Sequence, residues 1–113
     1  MPDVYLEDMR ERRRARRSPI RVQMEGRKNG DVFTGISVNL SETGILIETA
    51  KHLDVGAEVT VHLILPGDDE VTGRGVVVRL EDRGVDKFGL AVHWELSTEQ
   101  RITLARLIQE TAR

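Results

Sequence analysis

The sequence predicts an all-β domain closed by a C-terminal helix, with six short antiparallel strands forming a barrel or a sandwich. Three observations predict it. Apolar and polar residues alternate in short stretches from Ile20 to Glu95, the period of half-buried strands. The segments between those stretches are short and rich in turn formers, which leaves no room for parallel crossovers. Only after Ser97 does the apolar spacing change to that of a helix.

Ile20, Val22 and Met24 alternate with Arg21, Gln23 and Glu25 and open the first strand. Arg27-Lys28-Asn29-Gly30-Asp31 reads as a hairpin loop, because Asn-Gly suits a turn that needs positive φ. Val32 to Leu40 is the second strand and Gly44 to Thr49 the third, joined by Ser41-Glu42-Thr43. Residues 51–56 turn again and end at Gly56. Val59, Val61, Leu63 and Leu65 then alternate with Thr60, His62 and Ile64. Pro66-Gly67-Asp68-Asp69 is a strong turn signal. Val71 to Leu80 and Lys87 to Glu95 form the last two strands, joined through Glu81-Asp82-Arg83-Gly84. Gly73, Gly75 and Gly89 fall inside strands and are expected at bulges or tight corners. Ser97 with Gln100 resembles a capping box and starts a helix over 97–113. Leu104, Leu107 and Ile108 share one stripe of it, while Ile102 falls on the other side, open to a partner or a strand edge.

At 113 residues the chain makes one domain with room for a real core, and 39% hydrophobic with 32% charged residues is the composition of a soluble protein. It has no apolar run of membrane-spanning length and no signal-peptide pattern, so a cytoplasmic location is expected. The absence of cysteine excludes disulfides and thiolate zinc sites.

The net charge of −2 hides an asymmetry. Residues 1–21 carry seven arginines against Asp3, Glu7, Asp8 and Glu11, leaving +3 there and −5 on the remainder. A basic arm on an acidic body suits one local anionic ligand better than general nucleic-acid binding. Residues 1–17 are read as a partly mobile basic arm, and residues 18–113 as the barrel with its helix. Within the arm, Arg12-Arg13-Arg14-Ala15-Arg16-Arg17 puts five arginines into six positions. Guanidiniums crowded in this way repel one another, so the cluster makes sense with an anion beside it. The guanidinium fork fits a phosphate bidentately, and it also fits O6 and N7 of guanine. Taken alone, the run fits equally well a solvated tail, or an electrostatic anchor on RNA or anionic lipid.

A second pattern is Asn39-x-Ser41-x-x-Gly44. The amide supplies a donor and an acceptor and the serine a hydroxyl, which together can read polar base edges. Gly44 would allow close backbone approach or positive φ. The plainer reading is a serine or asparagine turn closing a β connection.

In combination the two patterns are far more specific. Arg13-x-x-x-Arg17 ahead of the first strand, then Asn39-x-Ser41-x-x-Gly44 between the second and third, resembles the PilZ domain. Arg17-x-Pro19, Leu53-x-Val55-Gly56, Leu63-x-Leu65-Pro66 and Phe88-Gly89-Leu90-x-Val92 extend the likeness over roughly residues 10 to 109. The resemblance implies a six-stranded antiparallel barrel with a C-terminal helix, and a receptor for the bacterial second messenger cyclic di-GMP. It implies that Arg13 and Arg17 grip the phosphates and the guanine Hoogsteen edge. Asn39 and Ser41 would then meet the other side of a guanine, and Gly44 would shape the turn. Arg12 stands where members that take up an intercalated ligand pair are often basic. Arg12-x-x-x-Arg16 also fits the spacing, but Pro19 favours the Arg13–Arg17 register. Many members carry aspartate where this chain has Asn39, which lacks the charge that would best meet guanine N1–H and N2–H. The implied mechanism is an arm that orders on the ligand and presents a new surface to a partner protein, for instance in motility or secretion.

The remaining candidates point elsewhere. His52, His62 and His93 lack metal-ligand spacing, Asp68-Asp69-Glu70 is a turn, and Trp94 reads as a core or rim aromatic. No pattern of an enzyme nucleophile or phosphate loop appears, so no enzyme is expected. Two other readings compete. One is an adaptor of the same fold that binds no nucleotide. The other is an electrostatic binder of RNA or anionic membrane through the arm.

Overall fold

The computed structural model describes residues 20–65 and 69–111. Six strands, β1 (Gln23–Lys28), β2 (Asp31–Leu40), β3 (Gly44–Thr49), β4 (Glu58–Ile64), β5 (Glu70–Gly84) and β6 (Lys87–Glu95), precede one helix, α1 (Thr98–Thr111). The strands close into a barrel in the order β1-β2-β3-β6-β5-β4, with β1 also pairing β4. Each neighbouring pair is antiparallel. Of the two architectures the alternation allows, the barrel is formed, and closure gives every strand two partners.

The strands are longer than the sequence suggests at two hairpins. Arg27 and Lys28, expected in a loop, are ladder residues opposite Val32 and Asp31. The turn shrinks to Asn29 and Gly30, with φ of 51° and 88°, a two-residue turn whose twist matches the strands. β5 runs on through the expected connection, with Glu81 opposite Gly89 and Gly84 opposite Lys87. Conversely, β1 begins at Gln23 rather than Ile20. The turn at Pro66-Gly67-Asp68 and the last two residues of the expected helix lie outside the described residues.

Alternation fills the interior. Met24, Phe33, Ile45, Ile47, Val61, Leu63, Val77, Leu90 and Trp94 are among the side chains that are almost wholly buried. Full burial of such a side chain contributes about 1.5–3 kcal/mol. From α1, Leu104 is fully buried and Leu107 and Ile108 pack beside it, as their stripe predicts. Ile102 is 59% exposed.

The strand glycines do not sit at the register shifts, which fall between Ser37 and Asn39, Val77 and Arg79, and Asp82 and Gly84. They make room instead. A Cβ at Gly73 would lie 2.7 Å from Leu96, and one at Gly75 would lie 2.6 Å from the His93 carbonyl. At Gly89 the Arg83 side chain occupies the space, 2.7 Å away. Arg83 thereby crosses from Glu81 (3.1 Å) to Glu48 (3.3 Å), which also meets Lys87 at 3.2 Å. Lys87 above all, with Arg21 and Arg83, holds the Glu48 carboxyl below its ordinary value. Arg83 first, and then Arg79, does the same for Glu81.

Ser97 caps α1, its Oγ accepting from the Gln100 amide at 3.2 Å. The Gln100 side chain does not return to Ser97, as a capping box requires. Its Oε1 accepts from the Thr72 amide and ties the helix to β5.

Gln100→Ala should therefore leave the Thr72 N–H without its partner and lower unfolding free energy by about 1–2 kcal/mol, read by urea denaturation. The two depressed glutamates add stability above their ordinary value near 4.5, and that stability is lost as pH falls through their lower folded values. Arg83→Ala should lower the melting temperature at neutral pH, with the difference from wild type closing as pH falls below the ordinary glutamate value near 4.5 in a thermal series.

Candidate functional site

The Asn39–Gly44 segment is a tight turn built from the inside of the barrel. Ser41 is buried, and its N–H donates to the Gly44 carbonyl at 2.8 Å. Its Oγ accepts from the amides of Gly44 (3.2 Å) and Thr43 (3.3 Å). The turn reading of this motif therefore describes the local structure. The hydroxyl proton has only distant acceptors, Thr43 Oγ1 and the Gly44 carbonyl, each at 3.4 Å. It can turn to a better acceptor.

Trp94 supports the same turn from below. Its indole N–H donates to the Ser41 carbonyl at 3.1 Å and its backbone N–H to the Thr43 carbonyl at 3.1 Å. The tryptophan is 2% exposed, which places it in the core and away from ligand. Gly44 is not at positive φ, since the positive-φ glycines among the described residues are Gly30, Gly56 and Gly84. Its role is close approach: a Cβ there would lie 3.2 Å from the Val92 carbonyl.

Asn39 lies on the outer face, half-buried, and its side chain has no hydrogen-bond partner among the described residues. It shares a crevice of about 110 Å³ with Ser41, Thr43, Gly44, Leu46, Arg79, Ala91 and His93. Register explains the grouping. Asn39 pairs with Leu46, Leu46 with Ala91, and Ala91 with Arg79, so the four lie in one row across β2, β3, β6 and β5. At the usual strand spacing, three steps span about 14 Å from Asn39 to Arg79. Leu46 and Ala91 make an apolar floor, with polar groups at both ends. The register shifts at Ser37/Asn39 and Val77/Arg79 flank this row on both sides, the position in which bulges re-aim side chains.

Sequence reasoning missed Arg79 and His93. Both look like solvated positions of alternating strands. The available signal was Val76-Val77-Val78, three apolar residues in a row that break the period of β5 where the shift occurs. Arg79 is half-exposed and pairs with Glu81 at 2.9 Å. Arg12, Arg13 and Arg17 lie outside the described residues, so the geometry here concerns only the barrel side of the expected site.

Larger hollows lie elsewhere on the barrel. One of about 370 Å³ is lined by Arg27, Thr60 and Arg74, and one of about 720 Å³ by Ile36, Ile64 and Val85. Size does not decide between them. The small crevice is where a turn hydroxyl, an unpartnered amide and a guanidinium converge. His62 is engaged with Thr72 Oγ1 at 2.7 Å and Glu70 at 3.6 Å. Among the described residues no group of His, Asp or Glu stands ready to hold a metal ion, and no helix is long and apolar enough to cross a membrane.

Comparison with known proteins places this barrel. A search of curated proteins returns no match. Among solved structures, the chain is similar to the Bacillus subtilis inhibitor of motility MotI/DgrA, with a TM-score of 0.74 at 16% identity, covering 85% of this chain. It spans about half of that protein, 49% of its length. It is also similar to the PilZ domain of CeSA from a cellulose-synthesizing bacterium, with a TM-score of 0.62 at 20% identity, covering 88% of this chain and 100% of that one. These likenesses establish the fold. The PilZ domain family model matches residues 11–110, which takes in the arginine run, the Asn39–Gly44 turn, all six strands and most of α1. The chain belongs to the PilZ domain family.

Proposed function

We propose that this PilZ domain is a receptor for cyclic di-GMP and acts as a cytoplasmic signalling module, not as an enzyme. The observation that carries the reading is the Asn39 amide, unspent within the described barrel and lining one crevice with the Ser41 turn and the apolar Leu46 and Ala91. A purely structural turn would need the serine and the glycine but not a free amide at that position. An amide can accept from guanine N1–H and N2–H, and the Ser41 hydroxyl proton is available to a base or ribose acceptor. Leu46 and Ala91 supply the apolar lining between the polar groups of the crevice. Arg79 adds a guanidinium at the far end, able to exchange Glu81 for a phosphate.

Arg13 and Arg17 supply the remaining charge from the arm. Ligand phosphates neutralise them, the arm closes over the crevice, and the new surface meets a protein partner. MotI/DgrA is named as an inhibitor of motility, which supports a partner in motility for this chain as well. The competing adaptor reading keeps the fold and the partner without the nucleotide. An electrostatic binder of RNA or membrane would use the arm and ignore Asn39.

Calorimetric titration with cyclic di-GMP, GTP and linear di-GMP at two salt concentrations separates the three. The expected result is heat with cyclic di-GMP and far less with the other two. Charge-assisted hydrogen bonds of this kind contribute about 1.5–3 kcal/mol each, so Arg13→Ala or Arg17→Ala should weaken binding at least about tenfold. Asn39→Ala should also weaken it, and Asn39→Asp should strengthen it by adding the missing charge. Absence of heat with cyclic di-GMP selects the adaptor. Binding of RNA or anionic vesicles with steep salt dependence, indifferent to Asn39→Ala, selects the electrostatic reading.

A further inference from the structure

The hollow of about 720 Å³ over β1, β2 and β3 shares no residue with the crevice. Three aliphatic side chains line it and remain open to solvent: Ile36 is 42% exposed, Ile64 50% and Val85 95%. Val85 stands at the tip of the β5–β6 hairpin, where polar turn formers are usual, next to Asp86 at a φ of 51°. Together the three leave about 300 Å² of apolar surface uncovered, the size at which a patch marks an interaction site. Glu25 and Asp86 add carboxylates to the lining. Glu25 has a long pair with Arg27, at 3.9 Å, and Asp86 has no ion pair among the described residues. Glu48, in the same lining, is already held by Lys87 and Arg83.

The helix presents the complement. Ile102 is 59% exposed, although Leu104, Leu107 and Ile108 already supply the stripe that packs on the barrel. Arg106 follows Ile102 by one turn and shares its face, and Arg101 lies beside it. Both arginines are exposed, and neither has an ion pair among the described residues. α1 packs against β5 and lines no part of the hollow. We propose that the hollow receives α1 of a second copy of this chain: Ile102 enters between Ile36, Ile64 and Val85, while Arg101 and Arg106 meet Glu25 and Asp86. An apolar helix face laid into a groove, with opposite charges meeting at the rim, is a common mode of recognition. Helix and hollow are different surfaces, so the contact is head-to-tail. Each copy gives its helix to one neighbour and takes a helix from another, and assembly runs into rings or open chains without stopping at a symmetric pair. The surface is small for a permanent complex, so association is weak and grows with concentration. Neither surface includes a crevice residue, and the inference stands apart from nucleotide binding.

Analytical ultracentrifugation of the full chain without nucleotide, from about 0.02 to 1 mM, should show a mean mass that rises with concentration. Ile102→Asp removes the helix side of the contact and Val85→Asp the hollow side. Both positions are exposed, so thermal unfolding of each variant should match wild type. Each variant alone should stay monomeric. An equal mixture of the two should associate again, because the first keeps an intact hollow and the second an intact helix, and it should stop at one-to-one pairs. Reversing the helix charges in Arg101→Glu/Arg106→Glu should weaken association at least about fivefold. A wild type that is monomeric throughout overturns the proposal. So does association that persists in Ile102→Asp or in Val85→Asp, or that is undiminished by the charge reversal. A mixture that fails to associate marks a symmetric contact and overturns it too. If Ile102→Asp lowers the melting temperature, Ile102→Ser takes its place under the same criteria.

Discussion

The indole N–H of Trp94, on the strand beside β3, donates to the carbonyl of Ser41, and the candidate site is built on that bond. A buried carbonyl without a partner is costly, and so is a buried indole nitrogen. Each resolves the other's demand. The same tryptophan gives its backbone N–H to Thr43, so two of the turn's carbonyls are fixed by one residue of β6. Ser41 then closes the turn on itself through the Gly44 amide. The turn is rigid because the core holds it, and its position follows from the register of β3 against β6. Asn39 is presented outward as a consequence.

Much of this was legible in the chain. The alternation from Ile20 onward marked every strand, and Asn29-Gly30 marked a tight turn. What the pattern could not show was where a strand stops when its end is polar. Arg27, Lys28 and Glu81 to Gly84 look like loop residues, yet a barrel wall has a wet outer face and tolerates them in register. The strand glycines were visible, but they do not mark the register shifts. Whether a glycine marks a bend or a crowded contact depends on what faces it, such as Leu96 over Gly73 or Arg83 over Gly89, and neither neighbour is close in sequence.

The site was half legible for a similar reason. Asn39, Ser41 and Gly44 form one local motif, and local motifs survive in sequence order. Arg79 and His93 reach the same crevice only because β6 pairs with β3 and β5 pairs with β6, with a one-residue shift at Val78. The motif also concealed a division of labour. Ser41 looked like a ligand group, yet most of its capacity closes the turn, which leaves Asn39 as the less committed partner.

The Arg83 side chain, packed in the space over Gly89, has an effect beyond stability. It holds Glu81 from one side while Arg79 holds it from the other. If Arg79 swings to a phosphate, Glu81 keeps a counterion and no bare carboxylate faces the incoming anion. The doubly served glutamate makes one cation expendable, so this wall of the barrel can yield positive charge to a visitor without exposing negative charge behind it.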